Sequence, residues 1–317
     1  MKQNLHTSVW KCFVLALLLS ISSASYSQYT ENTSYFEAGV TVGPSNFLGD
    51  LGGNTGKGTR FLKDNNFPMT KLTFGGFISY HPLDWLAFRL AVNVGSLEGD
   101  DAVIKGKGSW EEYRKIRNSN FRSPLYEGLL MAEIYPTVFL EFDPSDMFQK
   151  FRPYATIGVG AFHFNPQGTD PLTGDWVDLK PLRTEGQGFA EFPGRKEYSL
   201  TQVNIPMGIG IKYLLNENIN ISMEVIHRNT FTDYIDDVST RYIDPALFYA
   251  NMPVAQAQLA ERMANKTGTP LSRVYSAGQI RGTPQNNDSY YSIGFKLGLR
   301  LGGGNRWGNS TNCPIRF

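Results

Sequence analysis

Apolar residues recur at every second position in about eight stretches of the chain, the period of a β-strand whose two faces meet different surroundings. These runs lie near 34–42, 70–80, 86–97, 123–142, 152–164, 199–213, 219–231 and 288–302. In the third, Leu86, Phe88, Leu90, Val92 and Val94 share one face, and Ala87, Arg89, Ala91, Asn93 and Gly95 the other. The sixth sets Val203, Ile205, Met207, Ile209 and Ile211 against Asn204, Pro206, Gly208, Gly210 and Lys212. The eighth sets Tyr291, Ile293, Phe295, Leu297, Leu299 and Leu301 against Ser292, Gly294, Lys296, Gly298 and Arg300. The first, fourth and seventh are noisier but keep the period. Connections after odd-numbered runs hold on the order of 25 to 55 residues and those after even-numbered runs about 5 to 9, where an ordinary connection holds about 4–6.

A soluble sandwich has no reason to keep its long loops at one end, whereas an outer-membrane barrel pairs short periplasmic turns with long extracellular loops. The pattern predicts an all-β fold, an eight-stranded antiparallel transmembrane barrel with long extracellular loops, one of them partly helical. After the initial segment, no stretch approaches the roughly 18 apolar residues of a membrane-spanning helix, so any span is β. Eight strands leave an interior just wide enough for side chains to fill it. The inward positions collect Glu37, Glu133, Glu141 and Glu224 against Arg89, Lys212, Arg228, Lys296 and Arg300. Unpaired charges there would be costly, so mixed signs imply an ion-paired, plugged lumen rather than an open pore. Aromatics near the run ends, Tyr80, Trp85, Trp110, Tyr135, Tyr154, Phe162, Phe164, Tyr213, Tyr290 and Tyr291, are expected in interfacial girdles.

Residues 1–27 read as a secretory signal: Lys2 and Lys11, an apolar core from Cys12 to Leu19, then Ser22, Ser23, Ala24 and Ser25. The barrel is assigned to 28–302 and a periplasmic tail to 303–317, with the N-terminus also periplasmic. Removal of the signal leaves one of the two cysteines, Cys313. A lone thiol in an oxidising compartment points to an intermolecular disulfide or to a free, tucked-away sulfur. A net charge of +1 with scattered basic residues implies no nucleic-acid partner.

Candidate chemistry is sparse. His81, His163 and His227 fall on different segments without metal-ligand spacing, and no nucleophile elbow is present. No catalytic residue, metal ligand or cofactor is assigned. Asp100-Asp101 and Asp233 with Asp236-Asp237 could meet a calcium ion, but without its dense alternating ligand pattern they read as solvated loop charge. In the longest loop Asp244 reads as an N-cap, Pro245 as the first helical residue, Pro253 as a break and Gly268 as a stop, with Ala255, Leu259 and Met263 on one face. Gly43 to Gly53 reads as a structural turn whose Phe47, Leu48 and Leu51 tuck into the barrel mouth.

The stretch Tyr35-Phe36-Glu37-Ala38-Gly39-Val40 followed by Gly43-Pro44-Ser45-Asn46-Phe47-Leu48-Gly49-Asp50-Leu51-Gly52, together with the ending Cys313-Pro314-Ile315-Arg316-Phe317, resembles PorG-like outer-membrane proteins of the Bacteroidetes. The resemblance implies a non-catalytic structural or anchoring subunit of type IX secretion. Its partners would be the membrane lipid and a periplasmic ring built from a lipoprotein and its partner, docked through Cys313, Pro314, Arg316 and Phe317. Two alternatives remain: a barrel for solute binding or transport, and a lipid-modifying barrel enzyme.

Overall fold

The computed structural model describes residues 34–51, 67–105, 110–140, 147, 150–268 and 273–301. Eight strands form the wall: β1 (Tyr35–Leu48), β2 (Lys71–Leu83), β3 (Leu86–Asp100), β4 (Asn120–Ile134), β5 (Phe151–Phe164), β8 (Thr201–Leu214), β9 (Ile219–Thr230) and β10 (Ser289–Leu301). All pair antiparallel with their neighbours, and β1 pairs with β10 while β3 pairs with β4, so the sheet closes without an edge. Closure lets the wall strands satisfy their backbone polar groups on one another, as a span through hydrocarbon requires. The expected signal segment and the tail 303–317, with Cys313, Pro314, Arg316 and Phe317, lie outside the described residues.

The outward face is apolar. Leu90, Val92 and Ile209 are 59%, 61% and 69% exposed in the isolated chain, far more hydrocarbon than a water-facing surface carries. On the same strands Ala87, Arg89, Ala91 and Lys212 are buried.

β1 runs on past its expected end at Val42 to Leu48. The turn-forming residues from Gly43 continue the strand because Gly43 lets β10 approach: a Cβ there would stand 1.8 Å from the Ile293 carbonyl oxygen. β4 starts earlier and stops at Ile134, where its partner Leu86 begins β3. Beyond it Pro136, which cannot donate to a ladder, opens a short 3-10 turn over Pro136–Leu140. Glu141, expected on this strand, follows that turn and lies outside the described residues.

The long connections build a cap at one end. A small hairpin, β6 (Gln167–Thr169) and β7 (Trp176–Asp178), follows β5. Helix α1 (Trp110–Arg117) follows β3 and corrects the expectation of a single helical loop. Glu111 and Glu112 in its first turn and Arg114, Lys115 and Arg117 in its last match the helix dipole, a signal legible in the sequence. After β9 come α2 (Ala246–Asn251) and α3 (Val254–Ala264), separated at Pro253 as expected, with the Asp244 carboxylate accepting from Ala246 N. α3 ends at Ala264, before Gly268. Its buried face is Ala257, Ala260, Met263 and Ala264, while Ala255 is exposed, because Leu179, Leu182 and Phe189 pack across it.

Candidate functional site

Starting from the short-turn end, the barrel interior is filled in layers. Ala87, Tyr135 and Tyr154 make the first apolar layer. Around it Lys212 Nζ lies 2.9 Å from Glu37, and His81 stacks on Tyr35 with its ring 3.5 Å from the same carboxylate. Next, Arg89 bridges Glu133 at 2.9 Å and Glu224 at 2.8 Å, and Lys296 reaches the same two carboxylates at 3.4 and 3.2 Å. Tyr135 and Tyr154 donate their hydroxyls to Glu133 and Glu224. Phe77, Ala91, Leu129, Met131 and Ile226 form a second apolar layer. Above it Arg228 grips Glu127 at 3.1 Å, and that carboxylate also accepts from Asn93, Asn204 and Tyr290.

The structure thus gathers Glu37, Arg89, Glu133, Lys212, Glu224, Arg228 and Lys296 into one paired interior, as the alternation anticipates. Arg300 stands apart, half-buried at the rim with its guanidinium 4.0 Å over the Tyr35 ring. Glu127 is absent from the inward charges expected from the sequence, although it shares the parity of Glu133 on β4. The girdle expectation needs correction for Tyr135, Tyr154, Phe162, Phe164 and Tyr290, which point inward and are buried. At inward strand ends a ring seals the lumen, and a tyrosine hydroxyl also serves a buried carboxylate. Tyr291 is also covered, with Asn46 donating to its hydroxyl. The cavity beside Arg89, Asn93 and Glu224 measures about 20 Å³, room for roughly one water and not for a path.

Over the other end, Phe47, Leu51, Leu97, Phe121, Leu125, Phe162, Phe164, Ile235 and Val238 close the mouth. Phe47 and Leu51 do what the sequence suggests, while Leu48 is half-buried. Two buried arginines then tie the long connections together. Arg117 pairs with Asp101 at 2.7 Å and donates to the Asp50 and Arg281 carbonyls. Arg281 pairs with Glu185 at 2.8 Å and faces Asp237 at 3.8 Å, and Glu185 also accepts from the Ser239 and Thr240 amides. Asp101, Asp233, Asp236 and Asp237 are therefore not solvated loop charges; all four are buried, because loops from opposite sides of the mouth close over them. Burial outweighs the Arg281 charge at Asp237 and lifts its carboxyl to about 6; burial lifts Asp233 to about 8.

His81, His163 and His227 remain on separate strands, and among the described residues no group of three His, Cys, Asp or Glu side chains is set to ligate one metal ion. A second cavity, about 150 Å³, lies in the cap between Phe248, Ala264, Arg273 and Tyr275.

A family model described as "Outer membrane protein beta-barrel domain" matches residues 13–244. No curated protein matches. Among solved structures the chain is similar to Ail, the attachment invasion locus protein of Yersinia pestis, with 7% identity and a TM-score of 0.35 over 84% of this chain and 99% of that one. It is similar to OprG from Pseudomonas aeruginosa, with 12% identity and a TM-score of 0.33 over 84% and 95%. A major outer membrane protein from Thermus thermophilus gives 12% identity and a TM-score of 0.35 over 84% and 99%.

Proposed function

The chain belongs to the outer membrane protein beta-barrel domain family, and from that premise we propose that it is a structural, non-catalytic anchor of a protein secretion complex, of the type IX kind its PorG-like ends suggest. The observation that carries this reading is the filled lumen. Glu37, Glu127, Glu133 and Glu224 are matched inside the wall by Arg89, Lys212, Arg228 and Lys296, and the cavity among them has room for about one water. A conducting barrel would leave those positions to a water-filled path. Separated histidines give an enzyme no assembled acid, base and nucleophile.

In this reading both termini lie in the periplasm and the cap faces outward. The tail carries Cys313, Pro314, Arg316 and Phe317 to the lipoprotein and its partner in the ring, with Cys313 available for an intermolecular disulfide. Affinity purification of the tagged protein from native envelopes, under non-reducing conditions, tests it. Recovery of ring subunits, lost on deletion of 303–317, is the expected result. Recovery of no secretion subunit, or steady single-channel conductance in planar bilayers, would overturn it.

A further inference from the structure

The interior of the cap carries more acid than its cations can match. Asp101, Glu185, Asp233, Asp236, Asp237 and Asp288 are all buried. Arg117 is taken by Asp101, and Arg281 by Glu185 and Asp237. Lys266 donates to Asn120, and Arg114 lies near Asp50. Among the described residues no ion pair reaches Asp233, Asp236 or Asp288. Asp236 is served by backbone amides, with Leu51 N and Val238 N donating at 2.8 and 2.9 Å. Asp288 accepts from Ile235 N on one oxygen, at 2.8 Å, and its Oδ1 is buried without a partner. Asp233 is 6% exposed; the Ser239 hydroxyl faces its carboxylate, but neither oxygen has a partner at full hydrogen-bond geometry.

These groups are neighbours. Asp288 N donates to Thr232 O at 2.9 Å, so the turn from 232 to 235 wraps the Asp288 carboxylate and sets Asp233 beside it. Gly49 packs against Asp288 Oδ1, since a Cβ there would stand 2.2 Å from that oxygen. The result is three orphaned carboxylate oxygens in a space closed to bulk water, beside Asp236, whose own charge is disfavoured by burial and by Asp50. Buried carboxylates left this way must be neutralised.

We propose that Asp233 and Asp288 hold a divalent cation of the calcium type at the mouth of the barrel. Calcium accepts six to eight oxygens in loose geometry, so two carboxylates can anchor an ion that keeps waters of its own hydration shell, where among the described residues no three acidic side chains are set to share one. Such an ion would fasten the end of β9 to the start of β10, closing the cap over the lumen. The rival neutraliser is the proton, which burial and like-charged neighbours favour here by lifting Asp233 to about 8 and Asp288 well above the usual carboxylate range.

Calcium chloride titrated calorimetrically into the full-length barrel in detergent at pH 8 should bind once, in the range from micromolar to millimolar, and raise the cap's melting temperature reversibly to chelator. Asp233→Asn should weaken binding at least tenfold, while Asp175→Asn, an exposed carboxylate of the β6–β7 hairpin, should not. In the unmodified protein calcium should also slow amide exchange across 232–240 and 282–288, a measurement independent of whether Asp233→Asn assembles. No binding heat at millimolar calcium, with the same protection obtained by acidifying to pH 5, would mean that protons fill the role and would overturn the proposal.

Discussion

Replacing Arg89 by leucine tests the energetic logic of the interior. The guanidinium is 2% exposed and pairs with Glu133 at 2.9 Å and Glu224 at 2.8 Å. Leucine fills part of the volume but removes the cation, leaving two buried carboxylates to share Lys296, which reaches them at only 3.4 and 3.2 Å. Two negative charges and one positive charge in a layer between Phe77 and Tyr154, with room for about one water, are poorly screened, since the barrel wall excludes bulk solvent. Removing one partner of such a pair costs about 3–5 kcal/mol, mostly the penalty on the charges left behind. Unfolding of the reconstituted barrel in denaturant, followed by its heat-modifiable gel mobility, would read that loss as a lowered midpoint. Arg89→Leu combined with Glu133→Gln should recover about half or more of it, because the charge count is restored. A single variant within about 1 kcal/mol of the parent, or a double variant worse than the single, would refute the claim that Arg89 neutralises a closed layer.

Further outcomes follow from the wall and the cap. Leu90→Arg, at an outward position 59% exposed in the isolated chain, should destabilise the barrel in bilayers by about 2–4 kcal/mol if it lies near the midplane; refolding yield and midpoint in vesicles check this. Arg281→Met should release Glu185 and Asp237 and open the cap without disassembling the wall, seen as protease cleavage between β9 and β10 with the barrel core intact. A cysteine at Thr173 should label with an impermeant reagent on intact cells and one at Glu217, in the turn between β8 and β9, should not; the reverse would invert the proposed topology. In calcium-free buffer the cap should loosen as pH rises. Asp237 and Asp233 have folded-state values raised to about 6 and about 8 from 3.8, so the stability they confer is full below about pH 4 and is lost through those values. Lys266, lowered to about 8, has the opposite slope, but only above that pH. Amide exchange in the cap from pH 5 to 9 would show the trend, and a cap equally protected throughout would contradict it.

The wall is the part of this protein that can be read directly from the order of its residues. Inward and outward positions alternate one by one, and the side that meets hydrocarbon has to be apolar along its whole length, so strand number, facing and the inward charges Arg89, Glu133, Lys212 and Lys296 are all legible locally. Even Glu127 is available by parity. Strand ends are less so, because the ladder past Val42 and its stop at Ile134 depend on what β10 and β3 offer across the gap. Which charges meet is a matter of the closed barrel, as with Glu37 and Lys212, 175 residues apart. Closure likewise turns Tyr135, Tyr154 and Tyr290 inward to seal and to serve carboxylates. In the cap the same types of residue that read as solvated charge, Asp101, Asp233, Asp236 and Asp237, become buried because loops from distant parts of the chain close over them. Burial is a property of what arrives from elsewhere, and no local period encodes it.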